Sequence, residues 1–134
     1  MSGAGETDLA VLLASMSPEL HEGSYVFVVD EGHGGRDEAV VVVVEAEGTT
    51  LVLRRERADD LGLAYGFVAS WITLRVHSAL DAVGLTAAFA AALTDDGVSA
   101  NVVAGYFHDH LFVPEDRRDD AMRALRRLAS GTSA

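Results

Sequence analysis

Three short segments hold the side chains that could do chemistry in this sequence. The first is the run His108-Asp109-His110, which combines two imidazoles with a carboxylate. The second is Asp81–Thr86, where an acidic residue precedes a glycine at the start of a predicted helix. The third is Asn101, which opens a predicted strand. These residue types allow metal binding at the first segment and recognition of a small polar ligand at the other two.

The histidine run has the spacing of a weak metal motif. In an extended strand His108 and His110 would lie on one face and could bind a divalent metal, with His77 as a third ligand. The run falls where a hairpin is expected to turn, however, and a turn would splay the imidazoles apart. We therefore expect Asp109 to bond the turn backbone and no metal to bind. A metal-dependent enzyme using His108 and His110 remains the less favoured alternative.

Other signatures of catalysis are missing from the sequence. There is no cysteine, which excludes thiol nucleophiles, and no GxSxG, GxxxxGK[ST], strand-linked GxGxxG or HExxH motif. The run Gly32-His33-Gly34-Gly35 resembles an oxyanion loop but has no matching serine elbow, and it is predicted to be a hairpin loop. We expect no enzyme activity and no cofactor.

Charge and length narrow the range of partners. Ten Lys+Arg stand against 21 Asp+Glu, a formal charge of -11, which repels nucleic acid and anionic membranes. The 134 residues suit one domain or two half-size ones. No apolar run reaches the roughly 20 residues that span a bilayer, and the N-terminus lacks the basic region of a signal peptide. The expected location is the cytoplasm.

The first part of the chain predicts one short helix and three strands. Asp8 can cap a helix that ends before Ser17-Pro18. The strands are Tyr25–Val29, Ala39–Val44 and Thr49–Leu53, the last two forming a hairpin. Their unbroken apolar character predicts cover on both faces. The run Arg54–Arg57 is predicted to be a solvated strand end.

The rest of the chain predicts the order β-α-β-β-α. In Trp71–His77, alternation puts Ile72, Leu74 and Val76 on the core face and Trp71, Thr73, Arg75 and His77 on the other. A helix over Gly84–Asp95 ends at Gly97, a hairpin joins Val98–Phe107 to His110–Val113, and a last helix follows Pro114.

The segment Asp59–Gly66 is the best boundary, so the expected halves are 1–65 and 66–134. The second half lacks a fourth strand, and the first half is the expected donor.

The stretch WITLRVHSALDAVGLTAAFAAALTDDGVSANVVAGYFHDHLFVP, Trp71–Pro114, resembles an ACT domain. Its VGLT helix start and its GVSAN entry into the next strand are similar to those of aspartokinase regulatory domains. The whole chain is similar to small stand-alone bacterial proteins with two ACT-like halves. The resemblance implies an α+β, ferredoxin-like βαββαβ sandwich with antiparallel sheets and helices on one face.

The resemblance also implies a regulatory sensor that binds a free amino acid, or a similar small carboxylate, where two ACT domains meet. Backbone amides at a helix N-terminus favour a carboxylate, Asp81 can accept from an ammonium group, and Asn101 can donate and accept. The expected ligand-binding residues are Asp81, Ala82, Val83, Gly84, Leu85, Thr86, Asn101 and His77.

We expect a homodimer. The other alternative is an interaction module without a ligand, assembled through the sheet face of Trp71, Thr73 and Arg75.

Overall fold

A computed structural model describes residues 8–76 and 83–131 of the chain. The fold divides into two compact units, one of Glu22–Ser70 and one of Met1–His21 with Trp71–Ala134. Strand β5 (Val68–Arg75) contributes its first three residues to the former and the remainder to the latter. Each unit is an antiparallel sheet with helical cover, which confirms the α+β prediction.

The unit Glu22–Ser70 is built from β2 (Tyr25–Val29), β3 (Val41–Glu45), β4 (Gly48–Arg54) and α2 (Arg55–Asp60). Its strand order is β3-β4-β2-β5, and the predicted hairpin is present as the β3–β4 pair. Side chains from β2, β4, α2 and the segment after α2 form one core: Val26, Val28, Leu51, Leu53, Ala58 and Leu63.

The other unit contains α1 (Leu9–Ser15), β1 (Ser17–Leu20), α3 (Leu85–Asp95), β6 (Asn101–Ala104), β7 (Asp109–Pro114) and α4 (Arg118–Ser130), with a short 3-10 helix at Glu115–Arg117. Its strand order is β1-β5-β7-β6. The three helices pack on the sheet face that carries Ile72, Leu74, Leu111 and Val113. Phe89 and Leu93 of α3 and Leu125 of α4 are fully buried there.

The fourth strand of this unit comes from the beginning of the chain, as predicted. Ser17 lies opposite Arg75 and Leu20 opposite Ile72 in an antiparallel pair. The sequence did not predict that β1 would start at Ser17, because Pro18 was interpreted only as the end of a helix. Proline is compatible with an edge strand, because an edge strand has one side without a neighbouring strand and no N–H donor is needed there.

Two other expectations for the first part of the chain were wrong. The run after Arg54 is the helix α2 rather than a solvated strand end, because Ala58 is buried in the core of its unit. The valines of β3 are not covered on both faces: Val42 is 39 % and Val44 72 % exposed in the single chain. The reason is that β3 is the last strand of its sheet and pairs on one side only.

Candidate functional site

The start of α3 is where the sequence predicted a ligand site, and the structure describes it from Val83 onward. Gly84 is the N-cap residue, in the left-handed region with φ 99° and ψ -16°, and no side chain in the described part of the chain caps the helix. Leu85 is buried in the core, whereas Thr86 is exposed and Val83 is 85 % exposed. The first amides of a helix have no partner within the helix, so they can donate hydrogen bonds to an anion here.

Glycine at position 84 has a local structural cause. A positive φ is costly for residues with a Cβ, and a Cβ at Gly84 would lie 3.3 Å from Cδ2 of Leu9. The glycine therefore lets α3 begin sharply beside α1. Three of the predicted ligand residues, His77, Asp81 and Ala82, lie outside the described residues.

Asn101 is exposed at the start of β6 and lies opposite Phe112 of β7. Along the chain, the 11-residue helix α3 separates Gly84 from this strand. A helix of this length is about 16 Å long. After the helix, the amide of Val98 donates to the carbonyl of Leu93 at 2.9 Å, which holds the chain near the C-terminal end of α3. Gly84 therefore lies at the N-terminal end of α3, whereas the segment that leads to Asn101 starts at the C-terminal end.

A second polar cluster lies on the sheet face that points away from the helices. His21 Nε2 is 2.7 Å from Thr73 Oγ1, and Thr73 Oγ1 is 3.0 Å from Nδ1 of His110. The indole N–H of Trp71 also donates to His110 Nδ1, at 3.1 Å. The His21 ring stacks on Trp71 with centroids 3.5 Å apart. Thr73, which the sequence placed on the outer face, is only 4 % exposed.

This geometry determines the protonation of His110. An indole nitrogen can only donate, so His110 Nδ1 must accept and the proton of the neutral ring is on Nε2. Burial is the main cause that lowers the pKa of His110 below its ordinary value of 6.5, and the charges of His108 and His21 act in the same direction. The structure therefore favours a neutral His110.

The turn lies earlier in the chain than the sequence indicated, at residues 105–108 rather than 108–109. The amide of Gly105 donates to the carbonyl of His108 at 2.9 Å and closes the turn, whereas Asp109 and His110 already belong to β7. The second strand was predicted to begin at His110 and begins one residue earlier, so the expectation that Asp109 would lie in the turn was wrong. Asp109 is 9 % exposed, and burial raises the pKa of its carboxyl, partly opposed by the charge of His108.

The described residues contain no group of three or more His, Asp or Glu side chains arranged to hold a metal ion. His108 Nδ1 is buried and has no hydrogen-bond partner within the described part of the chain.

Sequence reasoning missed the cluster as a whole. The alternation of Trp71 and Thr73 could have indicated two of its members, but nothing in the sequence signals that His21 lies beside them.

The comparisons with known proteins identify the family. An ACT domain model matches residues 4–70, and a second ACT domain model matches residues 67–127. The chain belongs to the ACT domain family. The resemblance noted in the sequence is thereby confirmed, with two ACT-type segments in tandem. A search of curated protein sequences finds no match to this ACT protein.

Solved structures agree with this assignment. A Vibrio cholerae protein of unknown function, titled "Possible Transport Protein", is 48 % identical over 90 % of this chain and 95 % of its own, with a TM-score of 0.79. An Agrobacterium tumefaciens protein is 17 % identical, with 85 % and 89 % coverage and a TM-score of 0.66.

The ligand-free regulatory subunit of aspartate kinase from Thermus thermophilus is 7 % identical, with 84 % and 95 % coverage and a TM-score of 0.59, and it shares the fold. Family membership supports a ligand-binding regulatory role in general. No helix among the described residues is long and apolar enough to cross a bilayer.

Proposed function

We propose that this ACT protein is a cytoplasmic regulatory sensor that binds a free amino acid, or a similar small carboxylate, and catalyses no reaction. The observation that carries the proposal is the start of α3, where a left-handed glycine opens the helix and no described side chain caps it. The unpaired amides and the helix dipole together favour a carboxylate at this position. The family match to residues 67–127 covers the same segment.

In the proposed site, two groups of residues bind different parts of the ligand. The backbone of Ala82, Val83, Gly84 and Leu85 receives the carboxylate, with the exposed hydroxyl of Thr86 beside it. Asp81 accepts from the ammonium group, His77 is a further ligand contact, and Asn101 offers both a donor and an acceptor.

The path of the chain supports a site shared by two copies. The helix α3 is about 16 Å long, and the free amino acid is too small to reach from one end of it to the other. Gly84 begins this helix, and Asn101 opens the strand that follows it. We infer that the Gly84 segment of one ACT domain meets the Asn101 strand of another, at an ACT–ACT interface.

The exposed edge of β3 supports a homodimer. Val42, Val43 and Val44 are 39 %, 42 % and 72 % exposed, on a strand that pairs on one side only. An apolar edge strand with open backbone groups tends to pair with another chain. The same observation favours a second candidate function, an interaction module that assembles through β3 and binds no ligand.

Isothermal titration with the twenty amino acids, combined with light scattering, separates the two functions. The sensor predicts saturable binding of at least one amino acid. Asn101→Ala should then weaken binding by about threefold to tenfold, the equivalent of one polar contact of about 0.5–1.5 kcal/mol. Ser99→Ala is the matched control, because Ser99 is equally exposed and lies just before the strand. Self-association without any binding would instead support the interaction module.

A further inference from the structure

The histidine cluster of β5 and β7 has a property that ligand binding at α3 does not use. His21, Thr73 and His110 form a continuous hydrogen-bonded chain, and Trp71 closes it at His110. Thr73 is buried between the two rings. These hydrogen-bonded side chains all lie on the sheet face opposite the helices, within one compact unit.

We propose that these hydrogen-bonded side chains form a proton-operated switch. His21 accepts a first proton without a change in the hydrogen bonds. A second proton, at His110, breaks the hydrogen bonds to Trp71 and Thr73 and releases the turn at residues 105–108. The first step is possible because a protonated His21 can donate from Nε2 to Thr73 Oγ1, while the Thr73 hydroxyl donates to His110. An imidazolium stacked on an indole is also favourable.

The second proton cannot be accommodated in the same geometry. Protonated His110 carries an N–H on Nδ1, which would face the indole N–H of Trp71 across 3.1 Å. Two donors then oppose each other, so the imidazole has to move. Thr73 Oγ1 has two lone pairs and could accept from both imidazoles, but its hydroxyl would then have to stop donating to His110.

The charged groups around His110 shift its protonation to lower pH. His108 ends the turn, two residues before His110, and His21 lies in the segment after β1; a positive charge on either residue acts against a further positive charge on His110. Asp109 is adjacent in sequence, but alternation along β7 directs its side chain to the other face. On β5 and β1 the neighbouring charges are Arg75 and Glu19, which are paired with each other at 2.8 Å.

Movement of the His110 ring would be transmitted to the turn. A Cβ at Gly105 would lie 3.2 Å from His110 Nε2, so the ring is packed directly against the backbone of the turn. The turn carries Tyr106 and Phe107, which are 70 % and 66 % exposed and contact each other edge to face. Release of the ring therefore changes the presentation of an exposed aromatic pair.

The chain has a single tryptophan, and it belongs to the cluster. The test is a titration of Trp71 emission in the full-length protein from pH 8 to pH 4.5, with far-UV circular dichroism measured in parallel. We expect a loss of emission whose final step has a midpoint below 6.5 and leaves the circular dichroism unchanged. The Gly105 amide should lose hydrogen-exchange protection over the same range, because its bond to His108 closes the turn.

His110→Asn is the decisive variant. The Asn oxygen can occupy the place of Nδ1 and accept from Trp71, but it does not titrate. The final step should disappear in this variant and persist in the control His33→Asn, which changes an exposed histidine of the other unit. Persistence of the final step in His110→Asn overturns the proposal.

Nitrogen-15 shifts of the histidine rings in the unaltered protein give an answer that is independent of any variant. A His110 ring that carries a proton on Nδ1 at pH 7.5 contradicts the switch, as does a midpoint above 6.5.

Discussion

The glycine that opens α3 makes a stability prediction that can be worked from its geometry. Gly84→Ala places a Cβ on a residue with φ 99°, at 3.3 Å from Leu9 Cδ2. The left-handed conformation costs an L-residue about 1–2 kcal/mol. The flexible Leu9 side chain can shift by the few tenths of an ångström that the contact requires. We therefore expect the free energy of unfolding to fall by about 1–2 kcal/mol, the backbone term being the larger.

Urea unfolding measures this change when it is followed both by far-UV circular dichroism, which reports on both units, and by Trp71 fluorescence, which reports on the unit that contains Gly84. Gly66→Ala is the first control: Gly66 has no positive φ and no atom within 4 Å of its added Cβ. That variant should be neutral or more stable by up to about 1 kcal/mol. Gly131→Ala, with φ 76° and no neighbour within 4 Å, isolates the backbone cost from the Leu9 contact. Equal stability of the Gly84 and Gly66 variants would refute the reasoning.

Two further predictions concern side chains outside the proposed site. Arg117 donates to the carbonyls of Asp96 and Gly97 at the end of α3 and to the Asp120 carboxylate. Arg117→Ala should lower the free energy of unfolding by about 1–2 kcal/mol, and retention of full stability in urea would contradict this role. Asp109→Asn should raise the urea midpoint at pH 7, because it removes a carboxylate whose ionised form is disfavoured by burial. A lower midpoint would show that the charge is stabilising.

The pH dependence of stability follows from the direction of each pKa shift. The raised pKa of Asp109 means that the folded state binds its proton more tightly. The contribution of this group to the stability of the fold is therefore lost as pH rises from 3.8 through the folded pKa. The lowered pKa of His110 has the opposite effect: its contribution is complete above 6.5 and is lost as pH falls from 6.5 to the folded pKa. On acidification, the His110 contribution therefore lowers the stability and the Asp109 contribution raises it.

Periodicity and turn residues predicted much of this fold. The alternation in Trp71–His77 assigned Ile72 and Leu74 to the core, where both are fully buried. Gly97, with φ 73°, ends α3 as predicted. The helix α2 was missed because its core contact is the small residue Ala58, which gives no amphipathic stripe in a segment of charged residues.

The candidate sites were predictable only where one short segment creates them. The start of α3 could be found because its glycine and the helix pattern are adjacent in sequence. The histidine cluster could not, because His21 and Thr73 are 52 residues apart and meet only through the pairing of β1 with β5. No local pattern encodes that register. The division at residue 65/66 and the assignment of ligand contacts to His77, Asp81 and Ala82 stay predictions.

Amide chemical-shift mapping of the full-length protein, with pooled and then single amino acids, tests the central claim most directly. The proposed function predicts saturable shifts at the amides of Val83, Gly84, Leu85 and Thr86 and at Asn101, for at least one amino acid. The unpaired amides at the start of α3 should show the largest changes, because they would donate to the carboxylate. Shifts confined to residues 105–110, or no shifts with any of the twenty amino acids at millimolar concentration, would contradict it.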